Sequence, residues 1–466
     1  MARSYSDPSY PVTFGCHPDW QGSVDESKPF KQAEAQDMWQ MKASEHSAAQ
    51  DACFKSPLHG TLGEAYHNLA SEEPIAASDH VTSHNAWLAE SHTAYCQDKP
   101  SETPCPESAP LLNPDKPLGL SAEQLVSMYR HMVTLRTFDE RAKRLQRTGK
   151  IGFCVTARGE EAIQIGTAAA LTPSDWIMPS YRSHGVALYR GVSLERLMHH
   201  MFGTSEDACK GRPMPCHASF KDINYVGISS VIGTQIIHGA GVALAAKLKG
   251  ETTVCATYFG DGATSANDFH SAMNFAGVFQ APVIFCCVNN QYAISLPASK
   301  QTASETMAQK AVAYGFPGFR VDGTDVLAVH TAMQDAVERA RNGQGPTLLE
   351  FYTYRFDPHS SSDDPSRYRS ADETAAWQAR DPIENFRHRL MSWGFWSDEQ
   401  EQALQSDVFD AAMAASKRAE VSALPDWETV FTQVYATMPP HLREQYQELM
   451  RDEQGLTLEH AGEFPL

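Results

Sequence analysis

Asp261 and Asn290 are the residues around which chemistry can be assembled. Asp261 lies within Gly260-Asp261-Gly262, and Asn290 closes an Asn289-Asn290 pair after 26 intervening residues, Ala263 to Val288. A carboxylate and a carboxamide oxygen suit a hard cation such as Mg²⁺, which takes oxygen ligands in an octahedron and keeps positions for phosphate oxygens. A cofactor carrying a diphosphate is then the natural third party. The flanking glycines let the backbone approach such a ligand closely. Either motif alone reads better as a plain turn or a strand-end cap. Their spacing and strand context favour a site.

The elements that position the two residues can be read on either side of them. Val254 to Phe259 is a short β-rich apolar run, and the segment after Gly262 carries apolar residues at helical spacing. After Pro282 a second apolar run, Val283 to Val288, leads into the asparagine pair. Two parallel strands joined by one crossover put Asp261 and Asn290 at carboxyl ends, where open parallel sheets bind ligands. The fold class is therefore α/β, a parallel sheet flanked by helices.

Upstream, Ser121 and Gln124 form a capping box, Leu125 to Leu145 repeat apolar positions at helical spacing, and Gly149 stands where the helix stops. Gly159 to Ala162 begins another helix, ending near Leu171. Both helices read as packing elements and not as chemistry. Tyr181-Arg182 falls between an apolar run and a helix, where an arginine serves either as a bidentate clamp for a diphosphate or as a surface ion pair. His199, His200, Cys209, Cys216 and His217 cluster within nineteen residues without the paired spacing of a metal site, and read as ordinary helix and loop residues. Ile228 to Gly250 begins with hydroxyls and continues as a Gly- and Ala-rich helix that suits a core or a subunit interface. Further on, Phe319 to Asp325 reads as strand and turn, a helix runs to Arg341, and a last buried strand precedes Arg355 and a Ser- and Asp-rich loop holding His359.

Taken together, these segments resemble the alpha subunit of the two-chain 2-oxo acid dehydrogenases, in their first, decarboxylating component. The resemblance rests on YFGDGATSANDFHSAMNFA, on VNNQYAIS, and on the spacing from GDG to NN, which is similar to the thiamine diphosphate motif; it runs from about Leu111 to the C-terminus. It implies a thiamine diphosphate-binding fold and Mg²⁺, with Asp261 and Asn290 as side-chain ligands and Tyr292 as a main-chain ligand. Cofactor-binding positions would be Tyr181, Arg182, Ser230, Ile232, Asp261, Gly262, Ala263, Asn290 and His359. Arg182 would contact the diphosphate, Ser230 would approach it, and the main chain of Ile232 would meet the aminopyrimidine ring. His359 would be the catalytic residue, a proton donor or charge stabiliser near the substrate. Ser229, the carbonyl of Val231, Thr234 and Gln235 match a K⁺ site of branched-chain members, where proline is usual at the place of Val231. Val288 stands where those members carry an arginine that helps hold the diphosphate. GRPMPCH resembles the loop leading to the cofactor pocket, and Ser360 occupies a position that a kinase phosphorylates in some members.

The resemblance further implies oxidative decarboxylation of a 2-oxo acid, with acyl transfer to lipoyl groups of the transacylase component. SSDDPSRYRS and the C-terminal region favour branched-chain 2-oxo acids. YRSHG, with His184, favours pyruvate, and acetoin-cleaving relatives are a further alternative. A catalytically silent scaffold or regulatory subunit is the alternative outside enzymes. Thiamine chemistry needs a glutamate on the aminopyrimidine ring, which such enzymes place on a second α/β domain. This chain has room for one, so the glutamate is expected from a beta subunit in an α2β2 heterotetramer.

The 466 residues carry a net charge of −19 and a pI near 5.4, which argues against nucleic acid or an anionic membrane as partner. No run approaches a membrane span, and the N-terminus lacks the plan of a signal peptide. A soluble protein of the cytoplasm, or of the mitochondrial matrix in a eukaryote, is expected. Ten scattered cysteines fit free thiols, and the neighbours Cys286 and Cys287 should point to opposite faces of their strand. Residues 1–110 differ from the rest: Ile, Leu, Val and Phe number only 11 there, and sixteen Asp/Glu face six Lys/Arg. That composition buries too little apolar surface to offset the entropy of ordering, so a largely disordered or partner-ordered extension is expected. Residues 111–385 would form the thiamine diphosphate-binding domain, and residues 386–466 a helical region contacting a partner chain.

Overall fold

The computed structural model describes residues 119–452. The extension expected over residues 1–110 lies outside them. The capping box forms as its spacing predicts: Gln124 N–H donates to Ser121 Oγ at 3.2 Å, and Ser121 N–H donates to Gln124 Oε1 at 2.8 Å. It opens α1 (Ala122–Arg147), and Gly149 follows at φ +73°. Next come α2 (Glu161–Ala169), β1 (Trp176–Met178), α3 (His184–Tyr189) and α4 (Leu194–Phe202). The Gly- and Ala-rich segment is α5 (Thr234–Leu248).

The two apolar runs are β2 (Cys255–Gly260) and β3 (Val283–Asn289), joined through a short 3₁₀ turn at Asp261–Ser265 and α6 (Asn267–Phe279). A two-stranded ribbon of β4 (Tyr292–Ala293) and β5 (Leu296–Pro297) follows at once. Then come β6 (Gly318–Asp322), α7 (Val326–Arg341) and β7 (Thr347–Tyr352). The main sheet has the order β1-β2-β3-β7-β6, with every pairing parallel. A parallel sheet is covered on both faces, which is why β2 and β3 read as unbroken apolar runs. Cys286 belongs to one core cluster and Cys287 to the other, on opposite faces.

Strand order makes the site. β2 and β3 are neighbours in register, Gly260 opposite Val288, so the turn at Asp261 and the turn at Asn290 open at the same carboxyl end of the sheet. β7 lies on the other side of β3 and delivers Arg355 and the loop after it to that end.

The C-terminal helices are α8 (Ala371–Gln378), α9 (Pro382–Ser392), α10 (Asp398–Val421) and α11 (Pro440–Asp452). The division suggested at 385/386 falls inside α9, whose Ile383, Phe386 and Leu390 share a buried cluster with Leu125, Met128 and Tyr129 of α1. Leu404 and Val408 of α10 join the same cluster. Among the described residues no helix is long and apolar enough to cross a membrane.

Candidate active site

Asp261 leaves β2 at its carboxyl end and is 1% exposed. Its main chain is pinned: Thr264 Oγ1–H and Gln301 Nε2–H both donate to its carbonyl, at 2.8 and 2.6 Å. Its side chain is not, for Oδ2 is buried without a hydrogen-bond partner. Burial pushes its carboxyl from the ordinary 3.8 up to about 7, against the pull of Arg355. A buried, unpartnered carboxylate oxygen is the donor that a divalent cation would satisfy. Neither flanking glycine has a positive φ; Gly262 is small because a Cβ there would meet the Ala293 Cβ at 2.8 Å, while the side of Gly260 is open.

Asn290 is turned by two partners. Its Nδ2 donates to Glu160 Oε1 at 2.7 Å, and its Oδ1 accepts from Tyr292 N–H at 3.4 Å. The chain then makes a cramped excursion, with Gln291 at φ +75° and Ile294 at φ +55°, both in the left-handed region that costs a non-glycine residue. Arg355 staples it: one terminal nitrogen donates to the Tyr292 carbonyl at 2.9 Å, the other to the Ile294 carbonyl at 2.7 Å and to Tyr368 Oη at 3.0 Å. A carbonyl has two lone pairs, so Tyr292 O keeps one for a cation.

Arg182 is buried. Its terminal nitrogens donate to the carbonyls of Thr156 and His359, and Nε lies 3.7 Å from Glu160 Oε1. A guanidinium has five N–H donors, so a second hydrogen on each terminal nitrogen stays free for an anion. Tyr181 beside it stacks on His217, with ring centroids 6.2 Å apart, and meets His359 edge-on at 6.0 Å. His217 Nε2 lies 2.6 Å from Ser230 Oγ, while Nδ1 faces the Pro215 carbonyl at 3.0 Å. The carbonyl requires a proton on Nδ1, so the serine hydroxyl donates to Nε2.

His200 braces His217 from behind. The His217 N–H donates to His200 Nε2 at 3.0 Å, which puts the His200 proton on Nδ1, facing Asp207 Oδ1 at 3.2 Å. His200, Asp207 and Cys209 bring metal-capable atoms within 4.8 Å of one another. With both ring nitrogens engaged, His200 has no free lone pair for a metal, and the three are held as a structural brace. His184, the pyruvate-leaning residue, is also buried: its Nε2 lies 2.7 Å from Asp139 Oδ1.

The structure thus brings Tyr181, Arg182, Ser230, Asn290, Tyr292 and His359 into one network, through Glu160, His217 and Arg355, while Asp261 follows the neighbouring strand β2 with its Oδ2 unpartnered. Gly262 and Ala263 lie in the turn that Asp261 opens. Ile232 stands apart, its side chain exposed. Of the K⁺ candidates, Ser229 Oγ accepts from Val231 N–H at 3.1 Å and Thr234 Oγ1–H donates to the Val231 carbonyl at 3.2 Å. Gln235 Nε2 donates to the Tyr258 carbonyl at 3.0 Å, leaving its Oε1 buried without a partner. Val288 is buried and adds no charge.

Sequence reasoning takes Glu160 for packing and passes over Arg355. The carboxylate of Glu160 reaches Asn290 across 130 residues, a separation no local pattern reports. The available signal was a second acid directly before α2, where only Glu161 was needed to pair with Arg136 at 2.7 Å.

His359 is half-buried between two arginines. Burial, Arg182 and Arg355 push its imidazole from the ordinary 6.5 down to about 4. A depressed histidine value means that its stabilising contribution is present above pH 6.5 and is lost as pH falls towards 4. In a ¹³C NMR titration of the ligand-free protein, its ring should stay neutral at pH 6, with the resonance assigned by its loss in His359→Asn. Titration near 6.5 would contradict this environment.

The fold and this arrangement define an α/β protein whose sheet mouth offers oxygen donors for a cation beside an arginine for an anion. The chain belongs to the dehydrogenase E1 component family, whose model matches residues 129–428. It is 44% identical over 327 residues to the "2-oxoisovalerate dehydrogenase subunit alpha 2, mitochondrial" of Arabidopsis thaliana, covering 70% of this chain and 69% of that one. It is 41% identical over 342 residues to the human "2-oxoisovalerate dehydrogenase subunit alpha, mitochondrial", covering 73% and 77%. It is 40% identical over 342 residues to the "Pyruvate dehydrogenase E1 component subunit alpha" of Staphylococcus aureus, covering 73% and 90%.

Proposed function

We infer that this chain is the alpha subunit of a thiamine diphosphate-dependent 2-oxo acid dehydrogenase acting on branched-chain 2-oxo acids. The carrying observation is Asp261 Oδ2, buried and unpartnered at the carboxyl end of β2, with Asn290 following the neighbouring strand β3 and its amide held by Glu160. Asp261, Asn290 and the Tyr292 carbonyl would hold Mg²⁺, and the free N–H groups of Arg182 would take the diphosphate. When bound, thiamine diphosphate supplies a carbanion that adds to a keto carbon and accepts the electrons released with CO₂. Around it the protein orients and excludes water. Ser230 and His217 wall one side, with Tyr181 stacked against the histidine. His359, neutral at physiological pH, offers an imidazole N–H to developing charge and not a full proton. Ser229, the Val231 carbonyl, Thr234 and the unpartnered Gln235 Oε1 would supply the oxygens for K⁺, if that ion is bound.

An exposed apolar face supports the beta-subunit partner: Leu248 is 78% exposed and Val278 69%, with Ile237, Phe275 and Phe279 nearby in α5 and α6. The activating glutamate would come from that partner, and the acyl group would pass to the lipoyl transacylase. The chain alone should therefore turn over 2-oxo acids at least about a hundredfold more slowly than the co-purified complex, the typical worth of a missing acid–base group. Full turnover by the isolated chain would refute this division of labour.

Pyruvate is the second reading, supported by the Staphylococcus aureus relative. Comparing kcat/KM for 3-methyl-2-oxobutanoate and for pyruvate on the complex decides between them. Calorimetric titration of that complex with thiamine diphosphate and Mg²⁺ tests the site itself; no heat of binding would leave a silent scaffold.

A further inference from the structure

We propose that Glu160 is a positioning residue that fixes which end of the Asn290 amide faces the cation and ties that ligand to the diphosphate arginine. This rests on the reading of Asp261 and Asn290 as cation ligands. A carboxamide has two nearly isosteric ends, and only its oxygen can ligate; the NH₂ end repels a cation. Two contacts agree on one orientation. Glu160 Oε1 accepts from Nδ2 at 2.7 Å, and the Tyr292 N–H faces Oδ1 at 3.4 Å. The first is the short one, and it is made to a carboxylate that is 3% exposed. The main chain immediately before α2 fixes where that carboxylate stands: the Glu160 carbonyl accepts from Gln164 N–H at 3.2 Å. The same Oε1 lies 3.7 Å from Arg182 Nε, so one oxygen addresses both the cation ligand and the anion clamp.

A plain structural reading would make Glu160 a buried counter-ion for Arg182. The two roles separate in a pair of variants. Glu160→Gln keeps an oxygen for Nδ2 but removes the charge; Glu160→Ala removes both. The measurement is Mn²⁺ affinity by electron paramagnetic resonance, Mn²⁺ standing in for Mg²⁺, on the co-purified complex with saturating thiamine diphosphate.

The expected result is a 10- to 100-fold rise in the Mn²⁺ Kd for Glu160→Ala, the usual effect of losing a ligand's orienting partner, and a Kd within about threefold of wild type for Glu160→Gln. Wild-type affinity in Glu160→Ala would overturn the proposal. So would equal losses in both variants alongside equal falls in melting temperature, which is the behaviour of a counter-ion. If the wild-type complex binds no Mn²⁺ while thiamine diphosphate is present, the site reading fails and this inference with it.

Discussion

Asp261→Ala is expected to abolish uptake of thiamine diphosphate and Mg²⁺, and Asp261→Asn to raise the melting temperature of the ligand-free chain. An unpaired buried charge is costly to the fold. Asp261 is 1% exposed with Oδ2 unpartnered, and its carboxyl is raised from 3.8 to about 7. A raised carboxylate value means that the stability from this group is fully present below pH 3.8 and is lost as pH rises through about 7. About three pKa units correspond to roughly 4 kcal/mol, so the ligand-free wild type carries a penalty of that order at pH 8. Asparagine keeps the shape without the charge and escapes it. Scanning calorimetry should show the gap between Asp261→Asn and wild type widening from pH 5 to pH 7 and then holding steady. Adding cofactor and Mg²⁺ at about a hundred times Kd should narrow the gap by more than half, because only the wild type gains the roughly 2.7 kcal/mol of ligand binding. A gap that does not change with pH, or undiminished uptake by Asp261→Ala, would sink the argument.

Arg355→Met should loosen the active-site loop far more than it lowers overall stability. Arg355 is 1% exposed and touches no carboxylate; its partners are the carbonyls of Tyr292 and Ile294 and the hydroxyl of Tyr368. Two effects oppose one another. Leaving buried acceptors unpaired costs about 1–3 kcal/mol each, while methionine removes a desolvated cation whose charged form is already disfavoured by burial and by Arg182. The net loss in global stability should therefore be only about 2 kcal/mol. Locally there is no such offset. Tyr368 also donates to Asp363 Oδ2, which accepts the His359 N–H at 2.7 Å, so the arginine anchors the loop from His359 to Arg369. The exposed Arg367 makes this measurable. Limited trypsinolysis should cut there at least tenfold faster in the variant, the effect of a local opening made about 1.4 kcal/mol easier. Cutting at the wild-type rate would show that the loop does not depend on the staple.

What could be read in the sequence was what chemistry writes locally. The capping box of Ser121 and Gln124 joins residues three positions apart, and β2 and β3 announce themselves because a parallel strand covered on both faces is apolar throughout. Asp261 and Asn290 could be paired because strand ends joined by one crossover must open side by side. Glu160 was missed for the converse reason. Its partner lies 130 residues away, and an acid before a helix is as well explained by the helix dipole. His217 shows the same limit. Nothing in GRPMPCH tells that its ring would lie between Tyr181 and Ser230, since that depends on how β1 and the start of α5 meet across the sheet. The proposed division at 385/386 overlooked α9 because amphipathic periodicity says that a helix buries a face, but not against which neighbour.

The double contact of Glu160, with Asn290 on one side and Arg182 on the other, bears on how the ligands would load. Whatever factor the metal ion adds to the affinity for the coenzyme, the coenzyme must return in equal measure to the metal ion, since the two occupancies share one free-energy cycle. Scarcity of either would then weaken the hold on the other by that same factor.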